Sequence, residues 1–132
     1  MTALLTAADF HPHEALAAQL LAHATEGDDG SHDLAHIHRV FKNAMKIQAG
    51  EGGDVEILAA AVLLHDCVAV EKSSPLRSQA SRLAAEKASG ILAGLGWSEE
   101  KIAAVAHAIL THSFSANIPP ETLEAKMLQD AD

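Results

Sequence analysis

The sequence has little of several residue types, and each scarcity narrows the kind of protein it can encode. One cysteine, Cys67, occurs among 132 residues, which excludes an internal disulfide. Aromatic residues make up 3% of the chain and tyrosine is absent. Such a composition disfavours β-strands, which are enriched in aromatic and β-branched residues. Because hydrophobic residues, mainly Ala and Leu, still supply 48% of the chain, we expect an all-α protein.

Positive charge is scarce as well. The 9 Lys and Arg residues are outnumbered by 18 Asp and Glu residues, which gives a formal net charge of −9. A chain this acidic repels a phosphate backbone, so binding to a nucleic-acid polymer is disfavoured. The longest apolar run, 57–64, falls short of the roughly 18 residues that a membrane span needs. Because the N-terminus also lacks the pattern of a signal peptide, we expect a cytoplasmic protein with no membrane partner.

The apolar spacing predicts about six helices in a single domain, with no strand and no internal repeat. Turn-rich segments at 26–33 and 49–54 and an aperiodic segment at 67–78 separate several of these helices. Asp54 and Ser98 are the predicted N-caps of the third and fifth helices. The predicted helices run from 9 to 25, from 34 to about 48, from 55 to 64, from 78 or 79 to the glycines of AGLGW, from 99 to 112, and from 121 to the chain end.

Nine histidines are present, and one of them ends the fully apolar third helix in the dipeptide His65-Asp66. Two ionisable groups in a buried setting are costly unless they are paired, protonated or bound to a cation. The negative end of the helix dipole also disfavours the Asp66 carboxylate. A cation beside Asp66 removes both costs. The alternative is that both side chains emerge into solvent where the helix ends.

Two further segments offer metal ligands. In SHDLAHIHRV, His36 lies at the edge of the apolar stripe, whereas His32 suits a loop or cap and His38 a solvated face. The segment AKMLQDAD ends in Asp130 and Asp132, and the second follows an apolar Leu by four residues, on the core-facing side. Two imidazoles and two carboxylates form a mixed set suited to Mn²⁺, Fe²⁺, Co²⁺, Ni²⁺ or Mg²⁺.

Basic side chains cluster around the segment that follows the His-Asp dipeptide. Lys72, Arg77 and Arg82 are candidates for binding substrate phosphate, because arginine forks pair with phosphate oxygens and lysine adds a point charge. The alternative is a solvated loop with salt bridges to Glu71 and Glu86.

His112 follows an apolar helix and is a candidate proton donor or substrate contact, with a structural histidine as the alternative. His107 is expected on a helix surface or in the core. Cys67 is expected to be a small buried residue rather than a nucleophile.

The order His36, His65-Asp66 and a late Asp resembles the HD-domain superfamily of metal-dependent phosphohydrolases. The segments HDLAHIHRV, AAAVLLHD, SPLRSQASRLAAEKA, HAILTHSFS and LEAKMLQDAD are similar to successive signature blocks of a bacterial single-domain branch. That branch includes nucleoside triphosphate pyrophosphohydrolases. The resemblance implies one HD domain over 1–132, with an N-terminal helix and loop at 1–29 and the HD core at 30–132.

The resemblance also implies an HD-domain helical bundle and a set of metal ligands. Asp132 is implied over Asp130 because the last ligand of the family is the Asp of an Ala-Asp-Arg-Leu type segment, of which this sequence has Ala131-Asp132. Family members continue further, so we expect this chain to be truncated after that Asp. The implied ligands are His36, His65, Asp66 and Asp132.

The activity that the resemblance implies is hydrolysis of a small phosphorylated substrate, expected to be a nucleotide. A nucleoside triphosphate pyrophosphohydrolase and a nucleotidase are the two forms considered. One divalent ion, with manganese among the candidates, is expected rather than two, because the glycine-tyrosine-proline motif of the dinuclear branch is absent. Asp66, Glu71 and His112 are the catalytic candidates, with Asp66 orienting the water and Glu71 as a base.

Two alternatives from other classes stay open at this point. A regulatory HD module would bind a metal or nucleotide without chemistry, and a plain helical bundle with scattered histidines would bind no metal. The oligomeric state is open too, with a homodimer as one alternative.

Overall fold

The computed structural model describes residues 6–24, 30–68, 75, 79–113 and 118–132. Within these ranges the chain is helical and forms no strand, which confirms the predicted all-α class. None of the helices in these ranges is long and apolar enough to cross a membrane. Two 3₁₀ turns, Ala7–Phe10 and Leu21–His23, flank the first α-helix. The α-helices are α1 Glu14–Leu20, α2 Gly30–Glu51, α3 Val55–Leu64, α4 Ala80–Gly94, α5 Glu99–Thr111 and α6 Leu123–Ala131.

Short polar side chains start the later helices as the sequence predicts. The Asp54 carboxylate accepts the backbone N–H groups of Glu56 and Ile57 at the start of α3. The Ser98 hydroxyl accepts the N–H of Lys101 at the start of α5. Each contact satisfies backbone donors that have no partner inside the helix, and so each fixes where its helix begins.

Three boundary predictions are wrong. The continuous helix expected over 9–25 is divided into a 3₁₀ turn, α1 and a second 3₁₀ turn. Pro12 lies in this interruption, where its missing N–H cannot continue a helical ladder. The loop expected over 26–33 is helical from Gly30 onward, and α2 extends to Glu51 rather than ending near Gln48. Most of the segment predicted as a loop over 67–78 lies outside the described residues.

Helix α3 is the centre of the core. Each residue from 57 to 64 is buried, and α3 packs against α1, α2, α5 and α6. This is the packing expected of a short helix that is apolar on all sides. Helix α4 packs chiefly on α5. The C-terminal end of α3 therefore lies in the middle of the bundle.

The N-terminal segment belongs to the same core. Phe10 is fully buried, and its ring meets those of His38 and Phe41 on α2 edge-on, with centroids 5.3 and 5.1 Å apart. Nε2 of His38 also hydrogen-bonds the backbone carbonyl of Asp9 at 3.0 Å. His38 is thus half-buried against this segment rather than on the solvated face expected from its spacing.

The turn between α2 and α3 is joined to α6. The backbone N–H of Asp54 donates to Oε2 of Glu124 at 2.9 Å. Gly53 adopts a positive φ of 90°, and a Cβ at this position would lie 2.7 Å from that same Glu124 oxygen and 3.0 Å from Cε of Met127. A Cβ at this position would therefore displace the ends of the Glu124 and Met127 side chains, and the positive φ itself favours glycine.

We expect Phe10→Ala to lower the free energy of unfolding by about 3–5 kcal/mol, because it removes a fully buried aromatic ring. Urea unfolding followed by circular dichroism measures the change. Leu95→Ala is the control, since Leu95 is 42% exposed and its loss should cost little. Equal unfolding midpoints for the two variants would contradict the packing of the N-terminal segment described above.

Gly53→Ala should be more destabilising than Gly52→Ala by about 1–2 kcal/mol. Both glycines have a positive φ, so both variants carry the same conformational cost. A Cβ on Gly52 meets open space, whereas one on Gly53 displaces Glu124 from its hydrogen bond with Asp54. Thermal unfolding of the matched pair measures the difference, and equal midpoints would show that the contact with α6 is weak.

Candidate metal centre

The four implied ligands come from three different helices. His36 lies within α2, His65 and Asp66 directly follow the last residue of α3, and Asp132 directly follows α6. Because α2 and α6 both pack on α3, these positions meet beside the C-terminal end of the central helix. The fold therefore brings together side chains that are up to 96 residues apart in sequence.

The ligand atoms lie at distances that suit one shared ion. Nε2 of His36 is 3.1 Å from Oδ1 of Asp132 and 3.7 Å from Oδ2 of Asp66. Nε2 of His65 is 3.5 Å from the same Asp66 oxygen and 3.8 Å from Oδ1 of Asp132. Two atoms each about 2.1 Å from one ion are separated by about 3.0 Å at a right angle and about 4.2 Å when opposite. All four nitrogen–oxygen distances given above fall within this range.

The His65 side chain is only 1% exposed. The hydrogen bond made by one of its ring nitrogens shows which tautomer the ring adopts. Its Nδ1 is 2.6 Å from the carbonyl oxygen of Val62, which can only accept, so Nδ1 carries the proton. Nε2 then presents a lone pair toward the carboxylates of Asp66 and Asp132. Among the described residues, this buried atom has no hydrogen-bond partner.

A buried lone pair facing carboxylate oxygens is unfavourable unless a cation or a proton lies between them. A ligating histidine usually donates its other ring N–H to a carbonyl or carboxylate, as His65 does to Val62. The residues therefore fit a bound divalent metal, and two groups of side chains meet the distances for one: His36, His65 and Asp66, and His65, His112 and Asp132.

His112 adds a third imidazole to the centre. Its ring centroid is 5.1 Å from that of His65, and its Nε2 is 3.8 Å from Oδ2 of Asp132. Its Nδ1 hydrogen-bonds the carbonyl of Ile109, the same i−3 contact that His65 makes with Val62. Burial is the largest cause of the lowered pKa of His112, and it favours the neutral ring.

A small polar cavity of about 80 Å³ adjoins these side chains. His65, Asp66 and His112 line it, together with Ser81 and Ser113. The Asp66 side chain is 43% exposed, so the centre is accessible from solvent on this side. The cavity has the dimensions for water or a single small oxyanion group beside the ligands.

The remaining predicted site residues fall into two groups. Glu71, Lys72 and Arg77 are outside the described residues, as is the side chain of His32. Arg82 is exposed on α4 and lines a separate cavity between α4 and α5, together with Glu86 and His107. Nothing in that position supports its predicted role in binding phosphate over the metal.

Some contacts that support the centre carried no signal in the sequence. Nδ2 of Asn43 on α2 donates to the carbonyl of Ala131 at 3.4 Å, directly before the ligand Asp132. Nε2 of His107 accepts the backbone N–H of Glu121, which gives this histidine a structural role. Ser81, buried beside the site, follows a helix start and is indistinguishable in sequence from a capping residue.

The protein is an all-α bundle that gathers two histidines and two aspartates around the end of its central helix, and these side chains could hold a divalent metal. A family model described as HD domain matches residues 33–132. The chain therefore belongs to the HD domain family, whose members are generally metal-dependent phosphohydrolases that bind divalent metals. A search of curated proteins found no match to the chain.

Asp132→Ala should weaken Mn²⁺ binding at least tenfold, whereas Asp130→Ala should leave it within about twofold of the unmodified protein. Asp130 is exposed and belongs to neither ligand group, whereas Asp132 lies within 3.1 Å of His36. Isothermal titration of metal-stripped protein with Mn²⁺ measures both affinities. Loss of binding in Asp130→Ala with retention in Asp132→Ala would reverse the ligand assignment.

Proposed function

We propose that this protein hydrolyses a small phosphorylated substrate, and that the substrate is a nucleotide. The observation that carries the proposal is the buried Nε2 of His65, whose lone pair faces the carboxylates of Asp66 and Asp132 with no hydrogen-bond partner among the described residues. A metal centre accounts for this arrangement, and membership of the HD domain family supplies the reaction class.

His36, His65, Asp66 and Asp132 would hold the ion, as two nitrogen and two oxygen ligands. Such a mixed set suits Mn²⁺, Mg²⁺, Fe²⁺, Co²⁺ or Ni²⁺, and we take manganese as the first ion to test. When bound, a divalent ion supplies Lewis acidity toward phosphoryl oxygens and lowers the pKa of water in the site.

The side chains of the site have two tasks: to present ligand atoms toward the ion and to orient an attacking water. Backbone carbonyls of Val62 and Ile109 hold the Nδ1 protons of His65 and His112, so both Nε2 atoms face the centre as acceptors. Asp66 is the most accessible of the carboxylates, which suits it to orient an attacking water as well as to ligate.

His112 is our candidate for proton transfer. Its lowered pKa leaves Nε2 unprotonated near neutral pH, where it can accept a proton and return it to a leaving oxygen. It lines the small cavity beside Asp66, the place available to a phosphoryl group.

Recognition of the substrate depends on residues beyond this cavity. Ser81 and Ser113 line it, and their hydroxyls are of the type that hydrogen-bonds phosphoryl oxygens. Lys72 and Arg77 remain our prediction for the distal phosphates, and Glu71 for an additional base. The preference for a nucleoside triphosphate, cleaved to monophosphate and pyrophosphate, rests on the resemblance of the sequence blocks to that branch of the superfamily.

With Mn²⁺ present, the protein should release pyrophosphate from nucleoside triphosphates, and His65→Ala should lower kcat/KM by more than about 100-fold, because a ligand matters more than the groups that support it. Orthophosphate and pyrophosphate are assayed separately over a panel of nucleoside mono- and triphosphates. His23→Ala is the control, since His23 is an exposed histidine outside the centre.

Each result of this assay selects one function. Orthophosphate from monophosphates alone would indicate a nucleotidase. Stoichiometric metal binding without turnover of any substrate would indicate a regulatory module. Full activity in His65→Ala would contradict the assigned centre.

A further inference from the structure

The residue after the His-Asp dipeptide is tied to α4. Nζ of Lys87 donates to the backbone carbonyl of Cys67 at 2.9 Å. The Cys67 thiol donates to the carbonyl of Ala84 at 3.4 Å, and the Cys67 N–H donates to the carbonyl of Leu64 at 3.1 Å. Backbone and side chain of Cys67 are therefore both held, and two of these three contacts come from α4.

These contacts bear on Asp66 because its carboxylate is held by little else. Within the described residues it lies 3.5 and 3.7 Å from the Nε2 atoms of His65 and His36, distances beyond a strong hydrogen bond. Its side chain is 43% exposed. The direction of the Asp66 side chain is therefore determined by the backbone on either side of it, at His65 and Cys67.

A lysine is suited to holding the backbone at Cys67, just beyond the end of α3. The carbonyls at the end of α3 have no partner within the helix, and they carry the negative end of its dipole. The ammonium of Lys87 satisfies the Cys67 carbonyl and places a positive charge near that end, in a half-buried setting where a charged hydrogen bond is strong. The long side chain spans the gap between α4 and the end of α3.

We propose that Lys87 is a positioning residue for the metal centre, acting through the Cys67 carbonyl on the ligand Asp66. The proposal rests on the proposed function, since it requires that Asp66 bind the ion. Without this contact the backbone at Cys67 gains freedom, and the Asp66 carboxylate is no longer held toward His36 and His65. The ion is then bound less tightly, and water takes the place of one carboxylate oxygen.

Lys87→Met tests the proposal, because methionine retains most of the apolar stem and loses the donor. We expect the Mn²⁺ dissociation constant of Lys87→Met to rise at least tenfold by isothermal titration, and Lys87→Arg, which retains a charged donor, to stay within about threefold of the unmodified protein. Lys46→Met, on the exposed face of α2, is the matched control and should bind Mn²⁺ unchanged.

Water-proton relaxation separates positioning from general destabilisation. At saturating protein, Mn²⁺ bound to Lys87→Met should relax water protons faster than Mn²⁺ bound to the unmodified protein, because an additional water reaches the ion. Thermal unfolding of the metal-free variants gives the folded fraction, to which binding is normalised. If Lys87→Met does not fold, Lys87→Leu, which also lacks a donor, takes its place, with the same expected direction.

An unchanged Mn²⁺ affinity and relaxation in the folded variant would overturn the role of Lys87 while leaving the proposed function intact. A loss of affinity that Lys87→Arg fails to restore would overturn the hydrogen-bond route to Asp66. If the unmodified protein binds no Mn²⁺ or other divalent ion, the proposed function fails, and the role of Lys87 fails with it.

Discussion

The lone pair on Nε2 of His65 faces two carboxylates inside the protein, and much of the structure serves to create that contact. The ring is buried because it ends a helix that is itself buried on all sides. Its proton is held on Nδ1 by the carbonyl of Val62. Such an arrangement is unfavourable in the protein alone and becomes favourable when a cation joins the nitrogen to the oxygens. A divalent ion bound here would therefore relieve an unfavourable contact, which is the physical basis of the proposed metal centre.

Helix ends provide the rigid positions for this centre. His65 and His112 each lie one residue beyond a helix and each donate Nδ1–H to the carbonyl three residues earlier. Because this contact is local, the tautomer of each ring depends only on its own helix. The distance between the rings, 5.1 Å, depends instead on how α3 packs against α5. Ligand chemistry and ligand spacing therefore have separate structural origins.

Contacts remote from the metal position its last ligand. Glu124 ties the start of α6 to the turn before α3, and Asn43 ties its last residue, Ala131, to α2. Together with the packing of α6 on α2, α3 and α5, these two contacts help to fix the position of Asp132. A divalent ion at the centre would locally offset the net charge of −9 that the chain carries, as binding of the proposed phosphorylated substrate requires.

What the sequence determined alone was local. The caps Asp54 and Ser98, the burial of α3 and the pairing of His65 with Asp66 depend on residues within a few positions of one another, and periodicity detects them. Helical spacing indicated His36 and Asp132 as ligand candidates, and the resemblance grouped them with His65 and Asp66 as one ligand set. Tertiary packing decided that Arg82 lines a separate cavity between α4 and α5 and that His112 approaches His65 and Asp132. These features arise from contacts between side chains distant in sequence, whose relative placement no local pattern encodes.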